Sequence, residues 1–209
     1  DRWGEINKQL NSGLKVFPFG GLVIENTEND GLFSQLVFSA QFHSRQHKHA
    51  DNLNVLYHLN DKPLLVDAGS FTYQYDLPER IYCESTKAHN TLEIDGLNQS
   101  RFLQDAFGSG LSFCTTVGPC TIMRGSVHHS RLISSFIPNN KIQSRDGVKV
   151  DIQQNRTILH YPNRFLAIID QIKSPESHDY IQWHHFPPEI KIRVYSAQRY
   201  ELINSDNEK

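Results

Sequence analysis

The sequence predicts an all-β chain, folded as an antiparallel multi-stranded β-sandwich. Short apolar segments with strand-like alternation recur along the chain between turn signals, and no segment after residue 15 has a strong helical period. Aromatic residues make up 11% of the sequence, which favours strands. No internal repeat, low-complexity tract or linker divides the 209 residues, so we expect one β domain over residues 1–209.

The elements can be placed in order along the chain. A short helix is expected over residues 1–10, because Trp3, Ile6 and Leu10 fall on one stripe. Strands are expected at 22–24, 32–42, 54–59, 64–66, 91–94, 111–114, 121–123, 157–159, 165–172, 180–185 and 190–195. The run at 64–66 is wholly apolar, which predicts a central strand. Residues 69–88 show no clear period and are expected to form a long irregular loop with a functional role.

Composition excludes several classes of function. The formal net charge is −2, so the chain as a whole is not an electrostatic binder of nucleic acid. No apolar run is long enough to span a bilayer. The three cysteines, Cys83, Cys114 and Cys120, are an odd number, which argues against a full disulfide framework. Cys114 and Cys120 either pair or stay free buried thiols.

Three histidines and one aspartate form the most informative pattern. His47 and His49 stand two residues apart, so on a strand they point to the same face. Asp67 closes the apolar run at 64–66 and needs a partner there to stay charged, namely a metal, an Arg or backbone N–H groups. With His89 as a further nitrogen donor, these side chains offer a mixed nitrogen and oxygen site that suits zinc.

The long loop carries candidates for substrate contact. Tyr73 and Arg80 are residue types that stack on sugars or bind carboxylates in a fork. The competing structural interpretation is that Tyr73 packs on the sheet and that Arg80 pairs with Glu79, Glu84 or Asp76 at the surface.

These motifs together carry a resemblance to a known family. The segments are His47-Lys48-His49-Ala50-Asp51, Pro63-Leu64-Leu65-Val66-Asp67-Ala68-Gly69, Tyr73, Arg80, Ser85-Thr86, Ala88-His89-Asn90-Thr91, Asp95-Gly96 and Gln99-Ser100. In order and spacing they resemble the heparinase II/III family of polysaccharide lyases. The resemblance is strong in the first half of the chain and looser afterwards.

The resemblance implies a fold and an activity. Such lyases have an α/α toroid followed by an antiparallel β-sandwich, and they cleave uronic-acid polysaccharides by β-elimination in the cleft between the two. Carried over, His47 is the catalytic residue, acting as a base or as a polarising donor. His49, Asp67 and His89 would hold a zinc with a structural role.

The resemblance also implies what surrounds this chain. An anionic polysaccharide is the expected substrate, and a secreted or periplasmic bacterial location is expected. The toroid, which supplies the general acid and the groups that neutralise the substrate carboxylate, is not part of the sequence. We therefore expect a fragment that is inactive by itself.

Two other functions fit parts of the pattern. A cupin-type metalloenzyme also uses two histidines spaced in this way, but its acid is usually a Glu much closer to the second one, whereas Asp67 lies 67 − 49 = 18 residues after His49. A non-catalytic carbohydrate-binding sandwich would keep the zinc in a structural role, but it would lack a catalytic His that is accessible to substrate.

Overall fold

Antiparallel strands make up most of the structure, a computed structural model that describes residues 13–29, 31–42, 48–60, 62–74, 76–101, 105–134 and 147–204. The strands are β1 (Gly13–Phe17), β2 (Leu22–Asn29), β3 (Leu32–Ser39), β4 (Asn54–Leu59), β5 (Lys62–Leu65), β6 (Leu92–Ile94), β7 (Asn98–Gln99), β8 (Leu111–Val117), β9 (Cys120–Ile133), β10 (Gly147–Tyr161), β11 (Phe165–Lys173), β12 (Tyr180–Gln182), β13 (Ile190–Ser196) and β14 (Arg199–Asn204). One helix, α1 (Pro78–Glu84), and a 3-10 turn (Thr86–Ala88) lie between β5 and β6.

Two five-stranded sheets form the sandwich. The first has the order β1-β2-β3-β4-β5; the second has the order β11-β10-β9-β7, with β8 also paired to β9. The pairs β6–β12 and β13–β14 form two small additional sheets. The predicted fold class is therefore confirmed, and β9 and β10 are much longer than their apolar segments indicated.

The core lies between the two sheets. Phe38 and Val55 come from the first sheet, Met123 and Ile158 from the second, and all four are fully buried in one cluster. Gly125 lets the sheets approach closely, because a Cβ there would lie 2.7 Å from the side chain of Phe38. This packing explains why the inward positions alternate with more exposed ones along the strands.

The apolar run at 64–66 is not a central strand, and that expectation was wrong. Strand β5 pairs only with β4 and so lies at the edge of the first sheet. Beyond the strand, the Val66 N–H donates to the carbonyl of His185, 3.0 Å away, which belongs to a loop. Leu64 and Leu65 are apolar because they line a groove of about 510 Å³ with Phe186 at the side of the sandwich.

The expectation of an irregular loop over residues 69–88 was also wrong in part, because α1 and the 3-10 turn lie within it. With seven residues, α1 is too short to show a helical period. Its sequence signals were Pro78 in the first turn, where proline is tolerated, and the four-residue spacing of Arg80 and Glu84. The helix expected over residues 1–10 lies outside the described residues.

The three cysteines are free thiols. In the β8–β9 hairpin, Cys114 lies opposite Met123, and Cys120 lies opposite Val117, so the two cysteines do not face each other. Across the described ranges, no helix has the length and apolar composition that a membrane crossing needs.

The buried His129 predicts a pH dependence of stability. Burial lowers its pKa from 6.5 to about 4, although the hydrogen bond to Gln154 favours the charged form. Between pH 4 and pH 6.5, His129 is therefore protonated in the unfolded chain but neutral in the folded chain. The stabilisation is complete above pH 6.5 and is lost as the pH falls toward 4, and it amounts to about 3 kcal/mol.

Denaturant unfolding between pH 4 and 7 tests this linkage. His129→Gln should flatten the pH dependence over that interval. The matched control is His128→Gln, since His128 is the adjacent residue and its side chain is exposed beside Asp151. If both variants keep the pH slope of the wild type, the linkage is wrong.

Candidate functional site

Three chain segments meet at one end of the first sheet. His49 precedes β4, Asp67 follows β5, and His89 follows the 3-10 turn. The β4–β5 pairing places the ends of these strands side by side, and the helical segment returns the chain so that His89 lies beside both Asp67 and His49. The tertiary structure thus gathers three of the predicted site residues.

Asp67 and His89 form a hydrogen-bonded pair. The Nδ1 atom of His89 lies 2.8 Å from Oδ2 of Asp67, and the His89 ring is fully buried. The Asn54 amide donates to the same oxygen at 2.9 Å, and the Gly69 N–H donates to Oδ1 at 2.8 Å. Burial favours the neutral form of Asp67, but these donors and the charge of His89 outweigh it, so the pKa of Asp67 lies below its ordinary value.

His49 lies directly beside this pair. Its ring centroid is 5.3 Å from that of His89, with the ring planes tilted by 44°. Burial, and then the proximity of His89, lower the pKa of His49, although Asp51 and Glu84 act in the opposite direction. The neutral imidazole, which can accept a proton or bind a metal, is therefore favoured.

The residues present fit a zinc site in their chemistry. Two imidazoles and one carboxylate are donors that zinc prefers. Nε2 of His89 is buried without a hydrogen-bond partner, but Asp67 lies at Nδ1 on the other side of the ring, so a metal shared by Asp67 and His89 would be bound through Nδ1. Within the described part of the chain, however, no three His, Cys, Asp or Glu side chains converge closely enough to hold a metal ion. The zinc site stays a prediction.

A pocket of about 260 Å³ opens beside His49. It is lined by His49, Gly69, Ser70, Tyr73 and Arg80. The structure therefore brings the predicted substrate-binding residues Tyr73 and Arg80 to the same pocket as a predicted metal ligand. The Tyr73 side chain is open to solvent, with 73% of its surface exposed.

Arg80 belongs to a buried charge cluster. Its Nη2 atom lies 2.6 Å from one oxygen of Glu84, and the Arg101 guanidinium lies 2.6 Å from the other. Arg80 also donates to the Ser70 carbonyl, and Arg101 to that of Lys48. The partner expected in the competing interpretation is thus present, but the pair is buried, and the cluster connects α1 to Ser70, which lines the pocket, and to Lys48, which precedes His49.

Sequence reasoning missed three residues near this site. Asn54 and Asn90 are buried, and both hydrogen-bond to the segments that carry Asp67 and His89. His185, expected at the end of a strand over 180–185, lies in a loop after β12, where its N–H donates to Asn90 Oδ1 at 2.7 Å. The only sequence signal was that Asn90 directly follows His89.

His185 also faces the Asp67–His89 pair. Burial lowers its pKa; the charges of His89 and Asp67 act on it in opposite directions. Its Nε2 atom is buried without a hydrogen-bond partner. The predicted catalytic residue His47 lies outside the described residues, so its role stays a prediction.

Comparisons with solved structures identify similar folds. A heparinase III gene product superposes with a TM-score of 0.66 at 16% identity, over 88% of this chain and 25% of its own. The heparan sulfate lyase HepC from Pedobacter heparinus gives a TM-score of 0.61 at 15% identity, over 86% of this chain and 27% of its own. The chain thus spans about a quarter of the length of these proteins. Among curated proteins there is no significant match.

A family model agrees with this fold. The model of the heparinase II/III-like C-terminal domain matches residues 10–208, which is nearly the whole sequence. The resemblance inferred from the motifs around His49, Asp67 and His89 is therefore confirmed. The chain belongs to the heparinase II/III-like C-terminal family.

Proposed function

We propose that this chain is the C-terminal domain of a polysaccharide lyase that cleaves uronic-acid polysaccharides by β-elimination, with an α/α toroid domain preceding it in the same polypeptide. The observation that carries the proposal is the pocket shared by His49, Tyr73 and Arg80 next to the Asp67–His89 pair. Family membership favours this function over a cupin-type metalloenzyme.

The reaction requires three groups. A base removes the proton on C5 of the uronate, the electrons form the C4–C5 double bond, and the C4–O bond breaks as an acid protonates the leaving oxygen. Positive or hydrogen-bonding groups near the carboxylate stabilise the charge that develops during proton removal. In our proposal His47 acts as the base or as a polarising donor, and the toroid domain supplies the acid.

The loop beside the pocket is suited to binding sugar rings. Phe71 has a φ of 56°, which is unusual for a bulky residue, and 66% of its side chain is exposed. Such strain is typical of residues that contact ligands. Tyr73 lines the pocket together with Arg80, and Phe71 presents a second exposed ring on the same loop, so stacking and charge pairing are both available to an anionic polysaccharide.

We also propose that His49, Asp67 and His89 hold a structural zinc. When bound, the zinc would tie the segment before β4 to those after β5 and after the 3-10 turn, and it would contribute folding free energy. The contact of Asp67 with Nδ1 of His89, at 2.8 Å, and the position of the His49 ring beside that of His89 support the proposal.

Metal analysis tests the zinc site. Protein that has never met a chelator should contain about one zinc per chain, and its removal should lower the melting temperature. His89→Ala should abolish binding, whereas His128→Ala, at an exposed position on β9, should not. Absence of stoichiometric metal in the untreated wild type would contradict the assignment.

The lyase activity itself is tested with the full-length parent. Incubation with heparan sulfate, alginate and other uronate polysaccharides should release products whose new double bond absorbs ultraviolet light. Phe71→Ala and Tyr73→Ala should raise KM, while Phe19→Ala, which removes a still more exposed aromatic side chain in the β1–β2 turn, should leave it unchanged.

The outcome decides between the candidate functions. Unsaturated products confirm a lyase. Saturable binding of these polysaccharides without product from a folded, full-length protein would overturn the lyase proposal and establish a carbohydrate-binding domain.

A further inference from the structure

Arg156 is a fully buried arginine in the middle of β10. Its Nε and Nη2 atoms make a fork with the Asp170 carboxylate, at 2.9 and 2.6 Å. Its Nη1 atom donates instead to two backbone carbonyls, those of Leu53 at 2.8 Å and Asn90 at 2.6 Å. The Asp170 carboxylate therefore compensates the charge of Arg156 within the second sheet. The Nη1 atom of Arg156 contacts chain segments that adjoin the candidate site.

The two carbonyls belong to the residues that adjoin this site. Leu53 precedes Asn54 and has a φ of 62°, a left-handed conformation that a leucine adopts only when its surroundings hold it there. Asn90 directly follows His89. The contacts of Arg156 thus hold the backbone next to His89 and the backbone next to Asn54.

The two asparagines connect these backbones to the Asp67–His89 pair. Asn54 accepts the Asn90 N–H at 2.9 Å and donates its amide to Asp67 at 2.9 Å. The Asn90 amide donates to the carbonyl of Val66, the neighbour of Asp67, at 2.8 Å. An uninterrupted series of hydrogen bonds therefore runs from Arg156 to Asp67 and His89.

We propose that Arg156 is a positioning residue for the Asp67–His89 pair, acting through Asn54 and Asn90. A buried ion pair is often no more stabilising than apolar side chains of the same shape. What apolar side chains cannot replace is the pair of N–H bonds to Leu53 and Asn90. Arg156 and Asp170 are then buried because they orient the site. The proposal rests on the proposed function only where it predicts an effect of Arg156 on turnover.

Stability and positioning can be separated by mutation. Arg156→Met alone leaves the Asp170 charge buried and should lower the melting temperature strongly. The double variant Arg156→Met with Asp170→Leu removes both charges and should recover part of that loss, yet it still lacks the donors to the two carbonyls. The control for removal of an arginine is Arg193→Met, because Arg193 on β13 forms an exposed ion pair with Glu201 on β14.

The readout is the side chain of His89 in metal-free protein labelled with ¹⁵N-histidine. In the wild type, the Nδ1–H proton bonded to Asp67 should give a low-field signal that exchanges slowly with water. The double variant should lose this signal, and Asn54→Ala should lose it as well. In the lyase assay both should lower kcat, with little change in KM.

A signal that persists in the double variant or in Asn54→Ala would overturn the proposal. The Asn54→Ala variant leaves the ion pair intact and tests the step from Asn54 to Asp67, so a persisting signal there overturns the proposal even if the double variant does not fold. If the wild type shows the signal but no turnover on any polysaccharide, the proposed function fails while the positioning role is still decided by the spectra.

Discussion

Replacing His47 by alanine in the full-length protein is expected to lower kcat of the proposed lyase reaction by about 10²–10⁴-fold, the usual contribution of a general acid–base group. Zinc content and melting temperature should stay at the wild-type level. In our proposal His47 acts in the cleft, whereas His49 binds the metal. The ring centroid of His49 lies 5.3 Å from that of His89. Turnover, metal content and thermal unfolding of the same preparations test this.

His49→Ala is the matched variant. It should lose zinc and melt at a lower temperature, and its loss of activity should accompany the loss of metal. If His47→Ala loses zinc as readily as His49→Ala does, the two assignments are reversed. If neither variant changes turnover, the histidines are not part of the active site.

Replacing Glu84 by glutamine should lower the free energy of unfolding by about 3–5 kcal/mol, because removal of one partner leaves buried charges without compensation. Glu84 lies between the guanidinium groups of Arg80 and Arg101, and only 5% of its surface is exposed. Because Arg80 lines the pocket, the substrate KM should rise as well.

Glu79→Gln is the control, since Glu79 lies on the same helix at an exposed position. Its effect should stay within about 0.5 kcal/mol, as for most surface substitutions. Denaturant unfolding of both variants gives the comparison. If both variants lose the same small amount of unfolding free energy, the ion pairs of Glu84 with Arg80 and Arg101 contribute little to stability.

Much of the fold followed from local patterns. The segment at 54–59 matches β4 residue for residue, and the turn at Asp95-Gly96 adopts the positive φ angles that such a pair allows. Strand order did not follow, because period-two alternation shows which residues point inward but not which strands are neighbours. For that reason the apolar run at 64–66 was taken for a central strand although β5 lies at an edge.

The sequence by itself determined the all-β class, the family and the motif residues His49, Asp67 and His89, because strand alternation and motif spacing are local properties of the chain. Only the tertiary structure decided what surrounds them. The bonds of Arg156 to the carbonyls of Leu53 and Asn90, the contact of Asn54 with Asp67, and the position of His185 all join residues of different elements. Such contacts arise from strand pairing and from the packing of the two sheets, and a buried polar side chain acquires its role only from the partners that this packing provides.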